Sequence, residues 1–271
     1  MTHIPCLFGI LNITTDSFSD GGAYLDSEKA LEQARTLHAG GAEIIDIGSA
    51  SSHPDSTPVS AQTEIDRLTT IVPALKALNI PISIDSYQTQ TQRWALQQNV
   101  DWMNDIHGFA DPALYSDLAA SDCRLVVMHA IQSAGAATRP APPAGDIFDH
   151  ICRFFDTRLT ELMKAGIDQT RIVIDPGMGF FLGDTPEPSL TMLARIDKLK
   201  KIFGLPVLVS VSRKSFLRAL SGRSVEESAP VTLAAELWAA AKGVDYIRTH
   251  DPSQLIDALK IKGHLSGFVK K

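Results

Sequence analysis

Short apolar runs of valine, isoleucine and leucine recur along the chain and are separated by longer amphipathic stretches. The runs show no alternation of apolar and polar positions, which is typical of parallel strands covered by helices on both faces. The predicted strands are residues 7–11, 44–47, 80–84, 100–103, 125–128, 172–174, 207–211 and 246–247. The predicted helices are residues 27–39, 60–78, 88–98, 146–165, 188–203 and 231–242.

Eight strands in 271 residues give about 34 residues per unit, the size of one strand–helix repeat. This count favours an α/β fold of the (β/α)8 TIM-barrel type, in a single domain over residues 1–271. An open doubly wound sheet is disfavoured because no GxGxxG segment follows any predicted strand. Ser60 is expected to begin a helix, with Glu64 one position out of register for a capping box.

Composition narrows the class of protein. The chain is 44% hydrophobic and 21% charged, with a net charge of −6, which disfavours general binding to nucleic acids or anionic membranes. Cys6, Cys123 and Cys152 form no CxxC pair, so we expect a reducing compartment, the cytoplasm. The apolar run 4–13 has no basic residue before it and contains Pro5 and Gly9. We therefore expect neither a signal peptide nor a membrane span.

Polar residues follow almost every predicted strand, at the end where barrel enzymes carry their active sites. Taken singly, such residues are usually turn formers or helix caps. Taken together they predict a ligand site, because turns do not specifically require lysine, arginine and histidine. The set is Asn12, Asp46, Asp85, Asn104, Asp105, His129, Asp175, Ser210, Lys214, Arg248 and His250.

The loops after strands 7 and 8 are basic in an acidic protein. Residues 211–215 read VSRKS, and Arg248 and His250 end strand 8. These two loops of a TIM barrel frequently bind phosphate, so we expect a local cationic pocket of Lys214, Arg248 and His250 for an anion. The alternative is that Arg213 and Lys214 only cap a helix at the surface.

Asp85, Asn104 and Asp175 indicate a different ligand group. Carboxylates accept paired hydrogen bonds from an aminopyrimidine-type heterocycle, and an asparagine can both donate and accept. The alternative is a cage for a hard cation, but no DxDxDG-like spacing is present. Asn12 and a diphosphate could still share one Mg2+. The long polar loops 14–22 and 49–60 are either lids over this site or ordinary surface loops.

At this point the motifs resemble those of a known family. Residues 9–22, GILNITTDSFSDGG, resemble the first signature of dihydropteroate synthases, with Thr15 where proline is usual. Further family motifs follow in order: DIG at 46–48, SIDS at 83–86, NDI at 104–106, MH at 128–129, DPGMGF at 175–180, SRKS at 212–215 and RTH at 248–250. The resemblance spans nearly the whole chain.

The resemblance implies a TIM barrel that joins 7,8-dihydropterin-6-ylmethyl diphosphate to p-aminobenzoate in folate synthesis, releasing diphosphate. It also implies Mg2+ beside Asn12, small-molecule substrates, no nucleic-acid or membrane partner, and a homodimer. The helix over 229–241 could form the dimer contact or could be core.

The implied residue roles fall into four groups. The implied catalytic residues are Asp85, Lys214, Arg248 and His250. The implied pterin site is Asp85, Asn104, Met128, Asp175 and Lys214. The implied diphosphate site is Asn12, His53, Arg248 and His250, with Asn12 also the metal ligand. The implied p-aminobenzoate site is Ser52, Pro54, Phe180, Phe181, Ser215 and the shared Lys214.

Several positions depart from the family pattern. Residues 48–55 read GSASSHPD where housekeeping members usually read GGESTRPG, so His53 replaces an arginine. Phe181 and Ser210 also depart, and the set resembles the sulfonamide-insensitive Sul-type branch. Our hypothesis is that Phe181 or Phe109 narrows the p-aminobenzoate pocket against sulfonamides. The alternative is that either phenylalanine is ordinary core.

Three other functions remain open from the sequence. A methyltetrahydrofolate:corrinoid methyltransferase would share the heterocycle residues but would not need the two anion loops. An aldolase would use Lys214 as a Schiff-base amine. A non-catalytic pterin-binding homologue would be consistent with the arginine-to-histidine change at His53.

Overall fold

Eight parallel strands close into a barrel in a computed structural model, which describes residues 4–13, 23–51, 55–132 and 135–269. The strands are β1 Cys6–Asn12, β2 Ile44–Gly48, β3 Ile82–Asp85, β4 Trp102–Asp105, β5 Arg124–Met128, β6 Ile172–Asp175, β7 Leu208–Val209 and β8 Tyr246–Thr249. Their order in the sheet is β6-β5-β4-β3-β2-β1-β8-β7, and a bridge between Ile174 and Val207 joins its two edges. The predicted (β/α)8 barrel is confirmed.

Helices cover the outside of the barrel. They are α1 Ala23–Ala39, α2 Ala61–Ala77, α3 Thr89–Gln97, α4 Tyr115–Ala119, α5 Ile147–Lys164, α6 Glu187–Ala194, α7 Ile196–Phe203, α8 Ser215–Ser221, α9 Ala229–Ala241 and α10 Pro252–Val269. The single helix predicted over 188–203 is two helices that meet at Arg195, where the backbone leaves helical geometry (φ −107°, ψ 11°). Among the described residues, no helix has the length and apolar character to cross a bilayer.

The barrel interior is apolar at one end and polar at the other. Phe8, Trp102 and Tyr246 pack edge to face at the amino-terminal end, with ring centroids 5.1–5.7 Å apart. Side chains two positions apart on a strand point to the same face. The residues two positions after the members of this apolar end cluster therefore also point into the barrel, nearer its carboxyl end. The polar ones among them are Asp46, Asn104, Asp175, Ser210 and Arg248. The fold therefore collects buried polar groups at the carboxyl end of the strands.

The outward faces of the strands pack against the helices in a separate apolar core. Close packing is visible at Gly9 of β1, where a Cβ atom would lie 2.8 Å from the Cβ of Ala42 and 3.1 Å from that of Leu37. Only glycine allows α1 to approach the strand at this distance.

Helix α2 supports the end of β3. Ser60 caps α2 by accepting a hydrogen bond from the Thr63 N–H (3.1 Å), as the sequence predicts. Glu64 is not part of a capping box. Its buried carboxylate accepts a hydrogen bond from the Ser86 hydroxyl (2.6 Å), directly after Asp85. The out-of-register glutamate thus stabilises the strand end.

Glu236 of α9 is a buried acid outside the barrel. Its carboxyl group hydrogen-bonds to the hydroxyl of Thr249, which lies between Arg248 and His250. Burial raises the pKa of Glu236 from 4.5 to about 7; the Thr249 hydrogen bond opposes this, and nearby Asp251 adds to it. Between about pH 4.5 and 7, the folded protein therefore holds a proton on Glu236 that the unfolded chain has released.

This buried acid makes stability depend on pH. Between about pH 4.5 and 7 the folded state binds more protons, so the free energy of unfolding falls as the pH rises. Glu236→Gln cannot ionise, and we expect it to be more stable than the unmodified chain at pH 8 by roughly 2–3 kcal/mol, but similar at pH 4.5. Urea unfolding at the two pH values measures this. Glu28→Gln on exposed α1 is the control, and an equal effect at both pH values would contradict the prediction.

Candidate active site

A buried arginine links three strands at the carboxyl end of the barrel. Arg248 of β8 donates from Nε to Asp46 of β2, and from Nη2 to Asp85 Oδ2 of β3 (2.7 Å). The Arg248 side chain is only 13% exposed and Asp46 is fully buried. The guanidinium is thus held in a fixed plane by two carboxylates.

Two acids of this site, Asp85 and Asp175, have raised pKa values. Burial raises the pKa of Asp85 to about 7, while the charge of Arg248 acts in the opposite direction. Burial also raises the pKa of Asp175 to about 6, although the Gly177 N–H donates to its Oδ1 (2.8 Å). The site therefore offers carboxyl groups that can gain or lose a proton near neutral pH.

Lys214 and Arg248 supply the positive charge. Burial and the charge of Arg248 together lower the pKa of Lys214 to about 8, although the charges of Asp175 and Asp85 act in the opposite direction. Burial disfavours the charged form of Arg248, but Asp46 and Asp85 more than compensate and raise its pKa. The Lys214 Nζ also lies 4.9 Å from the ring centroid of Phe181. The predicted cationic site after strands 7 and 8 contains both residues.

The third residue predicted for the cationic pocket, His250, carries no positive charge near neutral pH. Burial and the charge of Arg213 lower the pKa of His250 to about 3, so its ring is neutral. The ring Nδ1 of His250 lies 2.9 Å from the Ser212 Oγ, and the backbone N–H of His250 donates to the same Oγ (3.2 Å). In the tautomer in which Nδ1 accepts the Ser212 proton, the ring carries its own proton on Nε2, and that N–H is a donor for an anion without a full charge.

The interior also contains buried polar atoms that lack partners. Asn104 is buried, and its Oδ1 has no hydrogen-bond partner among the described residues; the same holds for Asp46 Oδ1. Buried polar atoms without a partner are rare in native interiors, so these two oxygens are candidate ligand-binding atoms. Beside them Met128 packs with Phe181 in an apolar cluster. Polar groups on one side and apolar groups on the other suit a flat heterocycle, as predicted for Asp85, Asn104, Met128, Asp175 and Lys214.

Phe180, Phe181 and Ser215 lie together at the rim. A Cβ atom on Gly179 would be 3.2 Å from the Ser215 Oγ, so the short helical turn Gly179–Phe181 contacts the start of α8. Phe109 does not belong to this group. It is 1% exposed within the core between strands and helices, whereas Phe181 packs with Met128 in a separate cluster.

Four predicted site residues are not among the groups described above. Ser52, His53 and Pro54 lie outside the described residues, so their roles stay predictions. Asn12 is exposed at the end of β1.

His129, which the sequence places with the polar set, has its ring against His150 and Phe154 of α5. Its ring Nδ1 hydrogen-bonds to the Pro176 carbonyl (3.0 Å), and its backbone N–H donates to the Asp175 carbonyl (2.8 Å). Burial lowers the pKa of His129 to about 3. His129 fixes the backbone that follows β6.

Two contacts of this site are not predicted from the sequence. Asp46 belongs to the predicted polar set, but the sequence does not predict its role as the buried partner of Arg248. The ion pair between Arg139 and Asp55 at the rim was also missed. Its sequence signals were an aspartate at the usual glycine position of residues 48–55 and a single arginine in the proline-rich segment 139–145.

Comparisons with known proteins agree with this geometry. A family model described as pterin binding enzyme matches residues 8–250. A dihydropteroate synthase type-2 from Escherichia coli is 58% identical over 255 residues, 94% of this chain and 94% of that protein. The solved structure of Xanthomonas albilineans dihydropteroate synthase with 4-aminobenzoic acid is 31% identical, with a TM-score of 0.88 over 97% of this chain and 93% of that one. The same enzyme in complex with 7,8-dihydropteroate is 30% identical, with a TM-score of 0.85 over 98% and 95% of the two chains. By sequence and by fold, this chain belongs to the dihydropteroate synthase family of pterin binding enzymes.

Proposed function

We propose that this chain joins 7,8-dihydropterin-6-ylmethyl diphosphate to p-aminobenzoate, forming 7,8-dihydropteroate and diphosphate. The observation that carries this assignment is Arg248, held by Asp46 and Asp85 beside the unpartnered Asn104 Oδ1. A fixed cation next to a polar heterocycle site suits a pterin with an anionic leaving group. The X. albilineans relatives that contain 4-aminobenzoic acid and 7,8-dihydropteroate support the same substrate and product.

The pterin would lie inside the barrel mouth. Asp85 and Asp175 would accept hydrogen bonds from its ring N–H and amino groups, and Asn104 would accept through its free Oδ1. Met128 would pack against one face of the ring, and Lys214 would donate to an acceptor at its edge. Because these groups come from four strands and one loop, they would fix the ring relative to Arg248.

The diphosphate would lie toward the loops after β7 and β8. Arg248 would donate to its oxygens, and His250 would add an N–H donor. We place His53 in this group on the resemblance alone. Stabilising the departing anion would leave a pterin-methyl cation for the amine of p-aminobenzoate to attack. Exclusion of water by the loops after β1 and β2 would protect that cation.

We further propose that Mg2+ binds beside Asn12. Mg2+ typically uses one or two protein oxygens together with substrate phosphates and water. Gly48 leaves space for the Asn12 amide, since a Cβ atom there would lie 3.2 Å from its Oδ1. Among the described residues there is no group of three or more His, Cys, Asp or Glu side chains that could hold a metal ion. The ion would neutralise diphosphate charge.

The p-aminobenzoate would bind at the outer rim, between the pterin and the loops. Phe180, Phe181 and Ser215 form one wall of this pocket, and Ser52 and Pro54 belong to the other wall by resemblance. Unpaired thiols at the three described cysteines are compatible with a cytoplasmic location, which we also propose.

A turnover assay tests the reaction. We expect diphosphate release only with both substrates and Mg2+, and a decrease in kcat/KM of about 100-fold for Arg248→Lys, because a lysine cannot keep the two-carboxylate geometry. Arg93→Lys on exposed α3 is the control. Pterin binding without diphosphate release in the unmodified chain would identify a binding protein instead. Methyl transfer from a methylated folate would identify the methyltransferase alternative.

We propose that Phe181 reduces sulfonamide sensitivity by narrowing the p-aminobenzoate pocket. A planar carboxylate would pass the ring, whereas a tetrahedral sulfonyl group with its substituent would clash. We expect Phe181→Gly to lower the Ki for sulfamethoxazole by about 10–200-fold, with a smaller change in the KM for p-aminobenzoate. Phe181→Ala is the second variant if the glycine variant misfolds, and Phe109→Leu is the core control. An unchanged Ki in a folded variant would contradict the proposal.

We propose that the chain is a homodimer through the outer face of α6, α8 and α9. This face exposes Leu190, Leu220 and Trp238, the last 51% exposed, and exposed apolar patches of this kind are typical of interfaces. We expect Trp238→Glu to be monomeric by light scattering at concentrations where the unmodified chain is a dimer. Ile202→Glu, on exposed α7, is the control. A monomeric unmodified chain would contradict the proposal.

A further inference from the structure

The loop that follows β5, residues 129–146, is attached to the loop that follows β6. The Ile131 N–H donates to the Phe181 carbonyl (3.0 Å), and the Asp184 N–H donates to the Pro140 carbonyl (3.1 Å). Pro142 packs closely on Gly183, since a Cβ atom on Gly183 would lie 2.8 Å from the Cγ of Pro142. The two loops therefore form one continuous rim beside the phenylalanine pair.

Arg139 extends from this rim to the loop that follows β2. Its Nη1 donates to Asp55 Oδ1 (2.7 Å) and its Nη2 to Asp55 Oδ2, so the pair is bidentate. Its guanidinium carbon lies 5.2 Å from the ring centroid of Phe180. One arginine thus contacts an aspartate of one loop and an aromatic ring of another.

The position of this pair matters more than its contribution to stability. Arg139 is 47% exposed and Asp55 is 63% exposed, and exposed ion pairs contribute little to the stability of a fold. Asp55 lies in the loop that follows β2, and Phe180 is one of the residues assigned to the p-aminobenzoate pocket. Arg139 consequently connects the loop after β2 to an aromatic ring of the pocket proposed for p-aminobenzoate.

We infer that Arg139 is a positioning residue for the p-aminobenzoate pocket, because its pair with Asp55 fixes the guanidinium group that lies over the Phe180 ring. This inference rests on the proposed function. Arg139 contacts Asp55 and Phe180, and Phe180 is assigned to the second substrate, so we expect Arg139 to affect the binding of p-aminobenzoate. Holding a pocket residue in place in advance removes part of the entropic cost of binding a ligand.

Kinetics of matched variants test the inference. We expect Arg139→Ala and Asp55→Ala each to raise the KM for p-aminobenzoate by about three- to ten-fold, as expected for loss of a bidentate pair and a cation–π contact. The KM for the pterin diphosphate and the midpoint of urea unfolding should stay close to those of the unmodified chain. Arg93→Ala, which removes an equally exposed Arg–Asp pair between α3 and α4, should change neither KM.

Charge reversal separates a specific pair from two unrelated surface charges. Arg139→Asp and Asp55→Arg should each raise the KM for p-aminobenzoate more than the alanine variants, and the double variant should recover most of that loss. An unchanged KM in Arg139→Ala, or no recovery in the double variant, would overturn the inference while the unmodified chain still turns over. Absence of turnover in the unmodified chain would instead overturn the proposed function.

Discussion

The structure of this site depends on the burial of one guanidinium group. Removing an ion from water costs several kcal/mol, and Arg248 is tolerated inside the barrel because Asp46 and Asp85 accept hydrogen bonds from it in fixed geometry. The reverse also holds, since Asp46 is fully buried and needs a cation. Because the three residues come from β2, β3 and β8, this ion pair can form only when β1 has paired with both β2 and β8.

The surrounding charges follow from the same constraint. Asp46, Asp85 and Asp175 face Arg248 and Lys214, so the site contains one more acid than base. Burial raises the pKa of both Asp85 and Asp175 into the neutral range, and the neutral His250 adds no charge. The site can therefore present hydrogen-bond acceptors to a heterocycle at its centre and a cation to an anion at its edge.

The sequence predicts the barrel and most of the polar residues, but not which of two neighbours points inward. A strand buried on both faces shows no alternation, so the pairs Asn104-Asp105 and Met128-His129 cannot be resolved from their residue types. The structure places Asn104 and Met128 inside, while His129 faces outward and bonds the backbone after β6. The neutral state of His250 was equally hidden, because it follows from burial and from the nearby Arg213. The Arg139–Asp55 pair joins residues 84 positions apart across two irregular loops, where no periodic pattern operates.

The two halves of the site differ in how they are built. The groups assigned to the pterin come mainly from strands whose inward faces are tied together by the buried ion pair, so substitutions there disturb both folding and binding. The groups assigned to p-aminobenzoate come from loops whose contacts are half-exposed, such as Arg139 with Asp55 and Phe180. Among the departures from the family pattern, Ala50 and Phe181 follow the ends of β2 and β6, whereas Ser210 belongs to the barrel interior. Because a loop can change without repacking the interior, discrimination between p-aminobenzoate and its analogues can change while the barrel and its buried arginine stay the same.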